Sequence, residues 1–249
     1  MSRKQGALRP LRQRATPAVQ SRQTKTARSQ SYPLVDTLNS VSSQIWALEA
    51  VKAYTIETVE KVLKIRRVPK HRVCAPSLEV TIPAIEAMRY SPLRREIAAL
   101  IASTMDRDNA DVAHPSFLNM LQQLTQDEVN ILRAFPDPGR VLPVANLLVN
   151  LQKGYTEILH RNIIPQSIAE LCTAKSKLPF YIDNLTRLHL LHEPHGVKID
   201  DARIYADLLR QEFCERSLQS AKVRKRSMLE KHTLSLTIYG DLFRKTCFV

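Results

Sequence analysis

A chain of 249 residues with 44% hydrophobic content is long enough to bury a sizeable core, and only five glycines and 6% aromatics favour helix over sheet. Eight of the net +13 charges fall within residues 1–30, a stretch without Asp or Glu, so the basic character belongs mainly to the N-terminus. Four scattered cysteines, Cys74, Cys172, Cys214 and Cys247, exclude a disulfide framework and a zinc knuckle, while no apolar run approaches the roughly 18 residues of a membrane span.

Residues 1–33 contain little to bury and are expected to form a disordered basic arm. Its cations, Arg3, Lys4, Arg9, Arg12, Arg14, Arg22, Lys25 and Arg28, suit nucleic-acid phosphates. The same composition also fits an organelle transit peptide, a secretion signal or a solvated tail. No signal-peptide h-region is present, and the expected location is the cytoplasm.

An N-terminal helical region is expected over residues 34–110. Leu34, Leu38, Val41, Ile45, Leu48, Val51, Ile56, Val59 and Leu63 recur at helical spacing, giving one long helix or two broken near Tyr54 and Thr55. The basic end, with Lys61, Lys64, Arg66, Arg67, Lys70 and Arg72, suits the helix dipole more simply than a phosphate, and Pro69 closes it. A proline-bounded link over residues 74–83 leads to a helix from Pro83 to Tyr90. Ser91 then caps another, with Pro92 at its first position and Leu93, Ile97, Leu100 and Ile101 as its stripe.

Residues 111–249 form the second region. His114-Pro115-Ser116 opens a helix whose apolar face is Phe117, Leu118, Leu121 and Leu124. Thr125 and Glu128 make a capping box for the next, which buries Val129, Ile131, Leu132 and Phe135 and stops at Pro136-Asp137-Pro138-Gly139. Apolar segments from Val141 to Leu159 and from Ile163 to Leu171 read as two further helices. Pro179 begins a helix with the stripe Leu178, Tyr181, Ile182, Leu185 and Leu188, followed by a polar turn over His192–Gly196. Asp200 is expected to cap one long helix reaching about Met228, packed through Ile204, Leu208, Leu209, Phe213 and Leu218. Thr233–Leu236 alternates like a short strand, and Thr237 starts a last helix with Leu242, Phe243 and Cys247 inside.

The fold class expected is therefore mainly α, a multi-helix domain followed by a winged-helix-like C-terminal part with a small β element. In that reading Lys222, Arg224, Lys225 and Arg226, with Lys231, lie where a wing would hold DNA phosphates. Only Asp183 and Arg187 are charged between Pro179 and Leu191, so a protein-contact role for the same arrangement carries equal weight.

Four pieces, PLRREIAALIASTMD, AHPSFLNMLQQLTQDEVNIL, YIDNLTRLHLL and LSLTIYGDLFRKTC, occur in an order that resembles the abortive-infection alpha family of bacterial proteins. The resemblance covers roughly Pro76 to Cys247 and implies a role in phage defence, with no catalytic residues to carry over. His189 stands where the family pattern leads one to expect a small residue, commonly Gly.

Other chemistries find little support. Neither G-x-x-x-x-G-K nor G-x-G-x-x-G is present, which excludes a P-loop, and there is no G-x-S-x-G elbow or H-E-x-x-H helix. His189, His192 and His195 have ligand-like spacing, but Pro194 bends the chain and no acidic or Cys ligand completes a tetrahedron. Asp106, Asp108, Asn109 and Asp111 resemble a nuclease cluster less than an acidic loop. The expectation is a nonenzymatic defence protein without cofactor or metal, acting through a protein partner or nucleic acid. The alternatives are a toxin-like enzyme such as a nuclease, or a secreted effector.

Overall fold

The computed structural model describes residues 49–151 and 154–249. The cationic arm (Arg3, Lys4, Arg9, Arg12, Arg14, Arg22, Lys25 and Arg28) and the stripe from Leu34 to Leu48 lie outside the described residues.

Helix α1 (Glu49–Ile65) runs unbroken through Tyr54 and Thr55. Thr55 is buried without cost because its hydroxyl donates to the Val51 carbonyl one turn back, at 2.7 Å. Helix α2 (Leu78–Met88) begins earlier than its proline suggests, with Pro83 inside it. Burial of Val80, Ala84, Ile85 and Met88 on one stripe outweighs the one helical hydrogen bond that Pro83 cannot make. Helix α3 (Arg94–Thr104) starts two residues later than the Ser-Pro signal, because the Ser91 hydroxyl accepts from the Leu93 amide and forms a turn ahead of the helix. Ile97 to Ala102 are all fully or almost fully buried. Three alanines in that run, Ala98, Ala99 and Ala102, let α1, α2 and the last helix approach α3 closely, making it the axis of the main core.

After a 3-10 turn at Ala110–Val112 come α4 (Ser116–Leu121) and α5 (Gln126–Ala134). The capping box is present in full: the Glu128 amide donates to Thr125 Oγ1 and the Thr125 amide donates to Glu128 Oε2 at 2.6 Å. Every apolar residue assigned to these two stripes is buried.

The stretch from Val141 to Ile163 is a β-hairpin, not helical: β1 (Val141–Asn150) and β2 (Thr156–Ile163) belong to an antiparallel sheet of order β2-β1-β4-β3 with β3 (Leu191–His192) and β4 (Ser227–Leu236). Sequence periodicity fails here for a physical reason. Successive side chains of β1 point to opposite faces, and both faces are covered, so VLPVANLLVN is a nearly continuous apolar run without alternation. Pro143 is tolerated because β2 pairs with β1 only from Ala145 onward, leaving the missing N–H on an unpaired side. Of the second segment read as a helix, only α6 (Gln166–Ala169) is helical.

The unbroken β1–β4 register, Leu142 opposite Leu234 and Leu147 opposite Leu229, sorts the strand faces. Leu142, Val144 and Leu234 face the helical body, whereas Ala145 and Leu147 help build a second, smaller core with Ile163, Tyr205, Leu208 and Cys214. That second core explains the other departure. Residues 202–226 form three short helices, α8 (Ala202–Leu209), α9 (Glu212–Leu218) and α10 (Ala221–Arg226), instead of one long one. Gln211 and Ser220 adopt extended backbone between them, and Gln211 is held there by donating its side-chain amide to the Ile164 carbonyl at 2.9 Å. Asp201, not Asp200, caps α8 through the Arg203 amide. Strand β4 is also longer than the Thr233–Leu236 segment, reaching back to Ser227.

Helix α7 (Leu178–Arg187), preceded by a 3-10 turn at Lys175–Lys177, has Pro179 near its start and buries the predicted stripe. It ends with amides of His189 and Leu190 donating to the carbonyls of Thr186 and Leu185, and His189 takes φ of 55°. This pairing is a Schellman motif, whose left-handed position favours glycine, and here His189 occupies it. The last helix, α11 (Ile238–Cys247), is capped by Thr237 as expected and buries Phe243 and Cys247.

Candidate binding cleft

Two register shifts in the β1–β2 pairing each give β2 one residue more than β1, between Ala145 and Leu147 and between Leu147 and Leu148. Such bulges bend an edge strand and re-aim its side chains. Together with Asn162 in the left-handed region at φ 51°, they turn residues 159–162 of β2 toward a cleft of about 800 Å³. Helix α6, the start of α7 and the start of α9 supply the other walls.

The lower walls are apolar, with Ile163, Ile164, Ala169 and Leu178, all buried. Two aromatic side chains stand in solvent at the lining, Phe180 of α7 at 69% exposure and Phe213 of α9 at 43%. His160 Nε2 lies 2.8 Å from Ser217 Oγ, and its ring meets Phe213 edge-on with centroids 4.9 Å apart. Burial lowers the His160 pKa against the opposing pull of the Phe213 backbone, which favours the neutral imidazole. Arg161 pairs with Asp183, Arg216 with Glu212, and the Gln166 amide with Glu170. Asn162 is anchored through its Nδ2, which donates to the Pro179 carbonyl and to Asp183. The Arg161 and Asn162 pairings hold β2 to α7, and the cleft has the size of ordinary small-molecule sites.

The groups singled out in the sequence lie elsewhere. Lys222, Arg224, Lys225 and Arg226 sit on α10 and not on a wing hairpin; Lys222 and Lys225 are exposed, and Arg224 Nε donates to the Leu218 carbonyl at the end of α9. Lys231 lies over the Tyr205 ring, 5.1 Å from its centroid. Arg72 holds Asp106 through Nε and Nη2 at 2.6 to 2.9 Å and reaches Asp108 as well, while Asn109 Nδ2 donates to Asp106 Oδ2, so the acidic loop is a closure knot. Desolvation would raise the Asp106 pKa, but Arg72 and Asn109 outweigh it and lower it. His114 Nδ1 contacts Ser116 Oγ, which contacts the Tyr239 hydroxyl at 2.6 Å and ties α4 to α11. His189, His192 and His195 fall in a helix-end turn, in β3 and in the following loop, and among the described residues no group of three His, Cys, Asp or Glu side chains is arranged to hold a metal.

The cleft is hidden in the sequence because reading Val141–Leu159 and Ile163–Leu171 as helices leaves His160 and Asn162 in a connection between them, and not on the edge strand β2. The one available signal was Phe180, an aromatic off the apolar stripe of an otherwise well-patterned amphipathic helix.

The family model for abortive infection alpha matches residues 51–247. The chain belongs to the abortive infection alpha family. This family match takes in every helix and strand that builds the cleft. No curated protein matches the chain. Among solved structures, an uncharacterized protein from the hydrocarbon-degrading marine bacterium Alcanivorax borkumensis SK2 is 17% identical, with a TM-score of 0.32 over 55% of this chain and 92% of that one. No helix among the described residues of this abortive infection alpha protein is long and apolar enough to cross a membrane.

Proposed function

We propose that this protein is a nonenzymatic effector of abortive infection in the bacterial cytoplasm, acting by binding. Family membership over residues 51–247 carries the defence assignment. The binding reading is supported by the cleft, where large aromatics are exposed while the carboxylates are occupied by cations or amides.

Within this reading, α5 and α7 are the two helices of a winged-helix-like unit, and β3 with β4 is its strand pair. The segment α8–α10 replaces a simple wing. Contact with a protein or a ligand is favoured over base reading for α7, because its charged residues are already engaged. Asp183 holds Arg161 and Asn162, and Arg187 donates to Asn184 Oδ1 and Gln123 Oε1. The exposed cations of α10 are proposed as the auxiliary nucleic-acid contact.

Expression of the chain in bacteria, with and without phage, tests the assignment. The expected outcome is normal growth of uninfected cells, and growth arrest with a reduced phage yield after infection. Toxicity in uninfected cells would sink it in favour of a toxin-like activity.

A further inference from the structure

The cleft carries more than the general binding reading, on which this inference rests. Gln211, at the start of α9, is only 7% exposed and lines the cleft. Its Nε2 is spent on the carbonyls of Ile164 and Leu208, while its Oε1 makes no hydrogen bond within the described chain. An almost buried amide that is locked by its nitrogen presents its oxygen as a fixed acceptor. Lys175, exposed just ahead of α7, is the lining cation that forms no ion pair among the described residues, whereas Arg161 and Arg216 are both engaged. Phe180 and Phe213 come from two different helices and leave ring surface exposed to the same cavity.

Two exposed phenyl rings, one oriented acceptor and one cation without an ion pair among the described residues suit a ligand with a planar ring, a ring N–H or amino donor, and a negative charge. We propose that the cleft binds a nucleobase bearing a phosphate, with the ring against Phe180 and Phe213, a base-edge donor on Gln211 Oε1 and the phosphate at Lys175. Rings of this kind stack on phenylalanine whatever their hydrogen-bonding pattern, and the acceptor then selects bases that have a donor at the matching edge. The phosphate can belong to a free nucleotide or to a single-stranded nucleic acid, because the chemistry at the cleft is the same.

The test is calorimetric titration of the full chain with AMP, GMP, CMP and UMP separately, and with short single-stranded DNA and RNA oligonucleotides. At least one monophosphate or oligonucleotide is expected to bind, and Phe213→Ala and Lys175→Ala, both at exposed positions, are each expected to weaken it about tenfold. Lys61→Ala, on α1, is expected to leave affinity unchanged. Binding of oligonucleotides alone identifies nucleic acid as the source of the base, and binding of monophosphates identifies a free nucleotide. Absence of heat with all six ligands at about 1 mM, or affinity indifferent to both Phe213→Ala and Lys175→Ala, overturns the assignment. A Phe213→Ala variant that loses nucleotide binding yet still restricts phage would leave the defence function standing without this ligand.

Discussion

Arg66 donates from Nη2 to the Thr246 carbonyl at 2.8 Å, so the turn after the first described helix caps the last helix of the chain. The same guanidinium also reaches the carbonyls of Lys245 and Phe248 and the Ser103 hydroxyl. Desolvation lowers its pKa, and the C-terminal carbonyls of α11 supply the electronegative surroundings that a half-buried cation needs. Arg66→Ala is expected to destabilise the protein by about 2 to 4 kcal/mol, since several hydrogen bonds to a charged donor are lost together. Arg66→Lys is expected to recover only part of this, because an ammonium lacks the planar fork. Urea-unfolding midpoints check both; a change within about 0.5 kcal/mol for Arg66→Ala would show that the cap is superfluous.

A second prediction concerns two positions at the end of α7, His189 in its terminal turn and Gly240 of α11, which lies against the Leu190 backbone. A Cβ at Gly240 would stand 2.2 Å from the Leu190 carbonyl oxygen, a backbone atom that cannot swing away. Gly240→Ala is therefore expected to cost about 1 to 3 kcal/mol as α11 is pushed off α7. At His189 the sign reverses. Its left-handed backbone strains a side chain with a Cβ, so His189→Gly is expected to stabilise by roughly 0.5 to 1 kcal/mol after the entropy that Gly adds to the unfolded chain. Opposite shifts in thermal midpoint for these two substitutions are the expected readout.

Those two positions also show how unevenly the fold can be read from residue order. Where an element buries one face, as in α5, α7 and α11, the apolar spacing and the caps Thr125 of α5 and Thr237 of α11 are local signals, and local signals survive folding. Where an element is covered on both faces, as in β1, periodicity vanishes, and strand or helix is decided by pairing with β4 some 80 residues away. The helix breaks at Gln211 and Ser220 were equally hidden, because they rest on a tertiary bond to Ile164 and on the second core. The cleft depends on both of these non-local features, and for that reason only its α7 wall was legible beforehand.

His232 provides a pH-dependent prediction. Its Nδ1 lies 2.9 Å from Glu193 of the β3–α8 loop and its Nε2 3.1 Å from Glu230 of its own strand, with Asn146 of β1 beside it. Desolvation lowers its pKa, but the two carboxylates outweigh this and the net shift is upward from 6.5. A group whose folded pKa is raised contributes stability that is fully present below the unfolded value of 6.5 and is lost as pH rises through the folded value. The stability difference between the parent chain and His232→Gln is thus expected to be largest below pH 6.5 and to shrink toward pH 8. Denaturant titrations across this range check it, and a difference that does not vary with pH would remove His232 from the account.

The final prediction separates the two basic segments proposed to meet nucleic acid. The arm offers Arg3, Lys4, Arg9, Arg12, Arg14, Arg22, Lys25 and Arg28 with no acidic residue to offset them, whereas α10 offers Lys222 and Lys225 exposed on a folded helix. Each phosphate neutralised releases a counterion, so the slope of log K against log salt counts the contacts. Five arm contacts to duplex DNA correspond to a slope of about −4 to −5, with no preference among sequences because contacts to phosphates read no base edge. A chain starting at Ser31 is expected to lose most of that slope. Substitution of Lys222 and Lys225 by Ala in the full chain is expected to reduce it by only about 2, the share of two phosphates. Equal affinities and slopes for the full and shortened chains would exclude the arm as the contact. In that event the double alanine variant decides whether α10 binds alone, and a slope unchanged there as well would leave both segments without a nucleic-acid role.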